Sequence, residues 1–138
     1  MMTISPSPFL RQALLADAVT STACGVLMLL AAGPLAGMLG LPEALLRIAG
    51  AVLLPFAALV AYLSLRPRLS RIAVWAVVLV NGLWAADSVL LLMSGWVAPT
   101  AAGYVFVLAQ AAVVLMYAEL QFMGLRRSDT LRSETIRT

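Results

Sequence analysis

Three acidic residues, Asp17, Asp87 and Glu119, stand inside apolar stretches long enough to cross a bilayer. A carboxyl group in such a place must be neutral, paired or turned towards a polar interior, so each marks a candidate site for proton or ligand chemistry. Asn81, Trp84 and Ser88 fall on the same side of the segment that carries Asp87, and Gln110 enters from the following segment. At 1.5 Å of rise per residue, Asp17 lies roughly 10 Å and Glu119 roughly 9 Å from one end of their helices, a shared level at which two carboxyl groups would tend to share a proton. Tyr117 and Gln121 lie close to that level, and Thr20, Ser21 and Cys24 continue the Asp17 face. Asp87 and Gln110 form a second level, roughly 22 Å from the same end. The long side chain of Arg47 descends towards that level, so Arg47 and Asp87 are expected to form a buried ion pair. Asp17, Asn81, Trp84, Asp87, Gln110 and Glu119 are therefore the candidate ligand or proton site.

The elements that must hold these residues follow from hydropathy. The chain has 138 residues, 63% of them hydrophobic and 11% charged, with a mean hydropathy of +1.02. A soluble domain carries about 25% charge, so this is the composition of a membrane protein. Four spans are predicted, over residues 9–32, 43–65, 72–96 and 100–125, each long enough for a hydrocarbon core about 30 Å thick. Together they make one all-α domain, a four-helix transmembrane bundle over residues 1–125, followed by a polar and mobile cytoplasmic tail over 126–138. Gly33 and Pro34 stop the first span, and the Gly- and Pro-containing connection from Pro34 to Leu41 is expected to lie folded at the interface. Pro42 suits the first turn of the second helix, with Glu43 at the positive end of its dipole. Gly50, Ala57, Ala61 and Ser64 give that helix a stripe of small residues along which another backbone can approach closely.

Orientation follows from arginine. Arg11, Arg66, Arg68, Arg71, Arg126, Arg127, Arg132 and Arg137 fall on one side of the four-span arrangement and only Arg47 on the other. The positive-inside rule places the first side, with both termini, in the cytoplasm, and the expected location is a cell membrane, a bacterial inner membrane by this pattern.

Several functions lose support at once. The chain has no His and a single Cys, Cys24, so the common zinc, copper and haem ligand sets are missing and neither a cofactor nor a metal is expected. A nucleophile elbow, a paired Cys and a phosphate-binding glycine loop are also missing, which argues against an enzyme. The arginines form no stripe interleaved with aromatic residues, so nucleic acid is not an expected partner. Expected partners are the bilayer and either a second copy or another membrane protein. Two readings remain: a small helical scaffold or accessory subunit, and, as the alternative, a proton-coupled transporter or small-ligand binding protein that uses Asp17 and the Asn81/Asp87 face. Four short spans with an acid in the first are similar in layout to the small multidrug resistance exporters, whose sequence pattern is not present. The arginine bias also opposes the antiparallel dimers found there.

Overall fold

In the computed structural model, which describes residues Thr3 to Arg137, the chain is helical apart from one short strand pair. Its order is β1 (Thr3–Ile4), α1 (Pro8–Leu30), α2 (Ala32–Leu39), α3 (Glu43–Leu65), β2 (Leu69–Ser70), α4 (Arg71–Met93) and α5 (Ala101–Arg137). Helices α1, α3, α4 and α5 are long and apolar enough to cross a membrane.

The helix ends have local causes. Ser7 caps α1 by accepting from the backbone N–H of Leu10, and Pro8 occupies the first helical position, where its missing N–H costs nothing. Ala31 interrupts the helix, yet residues 32–39 do not form the irregular connection expected from their Gly and Pro content. Pro34 sits in the first turn of α2, where it is tolerated, and the remaining Ala, Leu and Met favour helix. Gly40 ends α2 with φ of 67°, a left-handed residue whose N–H returns to the carbonyl of Ala36. Helix α4 stops at Met93, three residues before the expected limit, because the Ser94 hydroxyl takes the Leu91 carbonyl and also accepts from the N–H of Trp96. Trp96 is left 82% exposed.

Helix α1 lies between α3 and α5, and α4 packs on α5, whereas α3 and α4 stay largely apart although consecutive. Close approach of α1 to α3 depends on Gly25 and Gly50. A methyl group built on Gly50 would stand 2.7 Å from the Gly25 carbonyl oxygen. Of the expected small-residue stripe, Gly50, Ala57 and Ser64 are buried and Ala61 packs at the edge of the core.

The end that carries both termini is closed by contacts that hydropathy does not show. Thr3 pairs with Ser70 and Ile4 with Leu69, which buries Ile4 and Leu69 in the core. The residues expected as a mobile tail instead continue α5 as helix to Arg137, with Thr138 outside the described residues. Ser128 is buried there and accepts from the Ser7 N–H at 2.9 Å, and Asp129 pairs with Arg71. The arginine-rich segment is thus polar, as its composition requires, but tied to the bundle.

Candidate functional site

The inner polar layer is a closed centre around Asp17. Asp17 and Gln121 are both 0% exposed and Asn81 is 2% exposed. The Asp17 carboxylate accepts from Asn81 Nδ2 at 2.8 Å and from Gln121 Nε2 at 2.6 Å, both on Oδ2, and from the Ser21 hydroxyl at 3.0 Å on Oδ1. Asn81 Nδ2 also donates to Gln121 Oε1 at 3.1 Å. One carboxylate therefore joins α1, α4 and α5. A second tie between α1 and α5, Thr20 to Tyr117 at 2.6 Å, lies one turn away. Helical spacing explains the convergence: Gln121 continues the buried stripe of Val107, Ala111, Val114 and Ala118, and Asn81 lies on the stripe of Val74, Val77 and Ala85.

Such a centre can fix the register of three helices, because each donor is matched by an acceptor and the alternative is a polar group left alone in an apolar interior. Its access to solvent is slight. The space bordering Asn81, between Phe56, Trp84 and Val114, is about 20 Å³, room for a single water.

Sequence reasoning brought Asp17 and Asn81 forward and left out Gln121. Its depth beside Asp17 is legible in the sequence, and it shares one face of α5 with Gly103, Gln110 and Tyr117 as well as with the buried Val107 and Val114, but the sequence does not say what that face meets. Glu119, two positions earlier, is turned about 200° around the helix from Gln121 and is exposed. The expected sharing of a proton between Asp17 and Glu119 is corrected: equal depth does not bring them together, because they face opposite sides of α5.

The outer layer is open rather than closed. Asp87 lines a lateral crevice of about 340 Å³ between α3 and α4, with Trp84, Ser88 and Gln110 and otherwise apolar walls from Ile48, Val52 and neighbouring residues. Gln110 turns away from Asp87 and donates to Cys24 Sγ at 3.0 Å. Ser88 is taken by the Trp84 carbonyl at 2.7 Å. Trp84 Nε1 is buried and has no acceptor among the described residues. The expected Arg47–Asp87 pair is also corrected. Arg47 reaches one turn back along its own helix to Glu43, both side chains being largely exposed. A pair four residues apart closes with little ordering, whereas the Asp87 pair would have to cross the crevice that separates the outer parts of α3 and α4.

Compared with known proteins, the chain matches no family model, no curated protein and no solved structure.

Proposed function

We propose that this protein is a small integral membrane scaffold or accessory subunit, a four-span bundle whose inner polar centre specifies helix packing and whose lipid-facing surface is free to take a partner. The observation that carries this reading is the state of Asp17. Its carboxylate is sealed from solvent and already accepts three side-chain hydrogen bonds, so it has neither the access nor the spare acceptor geometry that a proton or solute site needs. Large apolar side chains on the outer faces, among them Leu15, Leu59, Leu79 and Leu90, suit lipid or the helix of a partner. In proteoliposomes under a pH gradient, neither the wild type nor Asp17→Asn is expected to carry a proton-coupled flux of a broad solute panel. A flux that needs a titratable Asp17 would overturn the scaffold reading.

The same proposal fixes the topology. Eight of the nine arginines lie at the end that holds both termini, which the positive-inside rule assigns to the cytoplasm. Reporter fusions at Gly37, Arg68, Trp96 and the C-terminus are expected to alternate out, in, out, in. A C-terminal fusion reporting the outer side would end the four-span arrangement.

One observation favours a second reading, ligand binding. The α3–α4 crevice combines apolar walls, the Asp87 carboxylate and the unmatched Trp84 indole N–H, a composition typical of small-molecule sites. With Trp75 and Trp96 replaced by Phe, Trp84 emission should then respond saturably to a medium-chain alkylamine, and Asp87→Asn should abolish that response. Emission that changes only in proportion to added amine removes the second reading.

A further inference from the structure

A cavity with a more polar lining than the α3–α4 crevice lies away from both polar layers. It occupies about 520 Å³ at the arginine-rich end, between the N-terminal segment, the α3–α4 connection and the extension of α5. Its walls include Ser5, Ser7, Arg68, Ser128, Arg132 and Ile136. Arg68 comes from the connection and Arg132 from α5, so two arginines line one space from separate elements. Neither has a hydrogen-bond or ion-pair partner among the described residues, and no carboxylate lines the cavity, since the nearby Asp129 is bound to Arg71. The start of α1, a 23-residue helix, forms part of the wall through Ser7 and Pro8 and adds the positive end of its dipole.

The Ser7 and Ser128 hydroxyls donate to the Gly124 carbonyl, so the donors left to the cavity are the paired guanidinium groups, the Ser5 hydroxyl and the helix start, a set that suits an anion with several acceptor oxygens, which is the chemistry of a phosphate group. Depth decides where such a phosphate comes from. The apolar part of α5 ends near Leu125, so Ser128 lies about 4 to 5 Å and Arg132 about 10 Å beyond it along the helix. The headgroup layer on each side of a bilayer is about 5 to 8 Å deep, and an Arg side chain can reach back several ångströms into it. We propose that this cavity holds the phosphate of an anionic phospholipid at the cytoplasmic rim. Arg68 and Arg132 grip the phosphate, and the acyl chains run from it towards the apolar part of the bundle. The strand pair β1–β2 and the Ser7–Ser128 bond build the site by holding the N-terminal segment against α5. In this reading the α5 extension is an anchor that joins the bundle to its leaflet.

The inference rests on the membrane orientation proposed above, which the reporter fusions test independently. Its own test is a binding measurement on the delipidated full-length protein in nonionic detergent. Dioctanoyl phosphatidylglycerol, dioctanoyl phosphatidylcholine and inorganic phosphate are each titrated while the thermal midpoint is followed. Phosphatidylglycerol is expected to bind saturably and at least tenfold more tightly than the other two. Arg68→Gln and Arg132→Gln should each weaken it tenfold or more, while Arg137→Gln, an exposed arginine outside the cavity, should change it less than twofold. Ser5→Glu places a negative charge on the exposed edge of the cavity without removing either arginine and should weaken binding similarly, which guards against misfolding of an arginine variant. Equal binding of inorganic phosphate would overturn a lipid source, and equal losses in all three arginine variants would reduce the effect to diffuse charge; either result, or no saturable binding, overturns the proposal.

Discussion

Asp17→Asn is expected to leave the protein folded, and Asp17→Leu to destabilise it by about 2 to 5 kcal/mol. The difference follows from hydrogen-bond bookkeeping at one atom. Oδ2 receives both the Asn81 and the Gln121 amide, and an asparagine oxygen in the same place can accept the same two bonds. Its NH2 then occupies the position of Oδ1, where the Ser21 hydroxyl can rotate from donating to accepting. The net change is one rearranged bond, worth about 0.6 kcal/mol on average between membrane helices. Leucine offers no acceptor. It leaves two amide N–H groups buried with only the Gln121 oxygen between them, at about 1 to 3 kcal/mol for each one unsatisfied. Thermal unfolding of the three proteins in one detergent would check this. A large loss of stability in Asp17→Asn would show that the charge itself, rather than the acceptor geometry, holds the centre together.

Gly50→Leu should be more disruptive still, with a loss of at least about 3 kcal/mol, the upper end of what overpacking costs. A Cβ on Gly50 meets the Gly25 carbonyl oxygen at 2.7 Å and the Leu29 backbone nitrogen at 2.8 Å. Both are main-chain atoms, so no side chain can swing aside and α1 must move away from α3. Gly103→Ala is expected to fail for the same reason nearer the end of the bundle that carries α2. Its Cβ would fall 2.0 Å from the Leu39 carbonyl oxygen, the atom that receives the Thr100 N–H and joins α2 to the start of α5. Gly82→Ala supplies the contrast. Nothing lies within 4 Å of that Cβ, and alanine in a helix interior is favoured over glycine by up to about 1 kcal/mol, so the variant should be neutral or more stable. Comparable losses in all three would mean that glycine acts here through helix propensity or flexibility and not through close approach.

The sequence by itself determined that the chain is all-helical with four helices apolar enough to span a membrane and, the far end of α5 apart, placed their limits to within a few residues. Those properties depend on local quantities: an apolar run about 20 residues long, and Pro42 and Glu43 at the start of α3. It also placed Asp17 and Asn81 among the residues that matter, because a polar side chain in an apolar run must find a partner whatever the packing. Depth along a helix axis was legible for the same reason, since rise per residue is nearly constant.

Rotation about each axis and the order of helices around the bundle were decided only by the tertiary structure. Glu119 and Gln121 share a depth to within a turn, yet one is exposed and the other completes the Asp17 centre. Height alone pairs Arg47 with Asp87, but a crevice separates α3 from α4 at that level, and a charge takes the partner already one turn away. The β1–β2 pair and the helical α5 extension went unread because two-residue strands carry no periodicity. What holds that extension is a set of contacts more than a hundred residues apart in sequence, such as the Ser7 N–H on the Ser128 hydroxyl. Hydropathy records how far each residue lies along its helix; which neighbour it faces depends on where backbones can approach closely, and that is a property of pairs of helices.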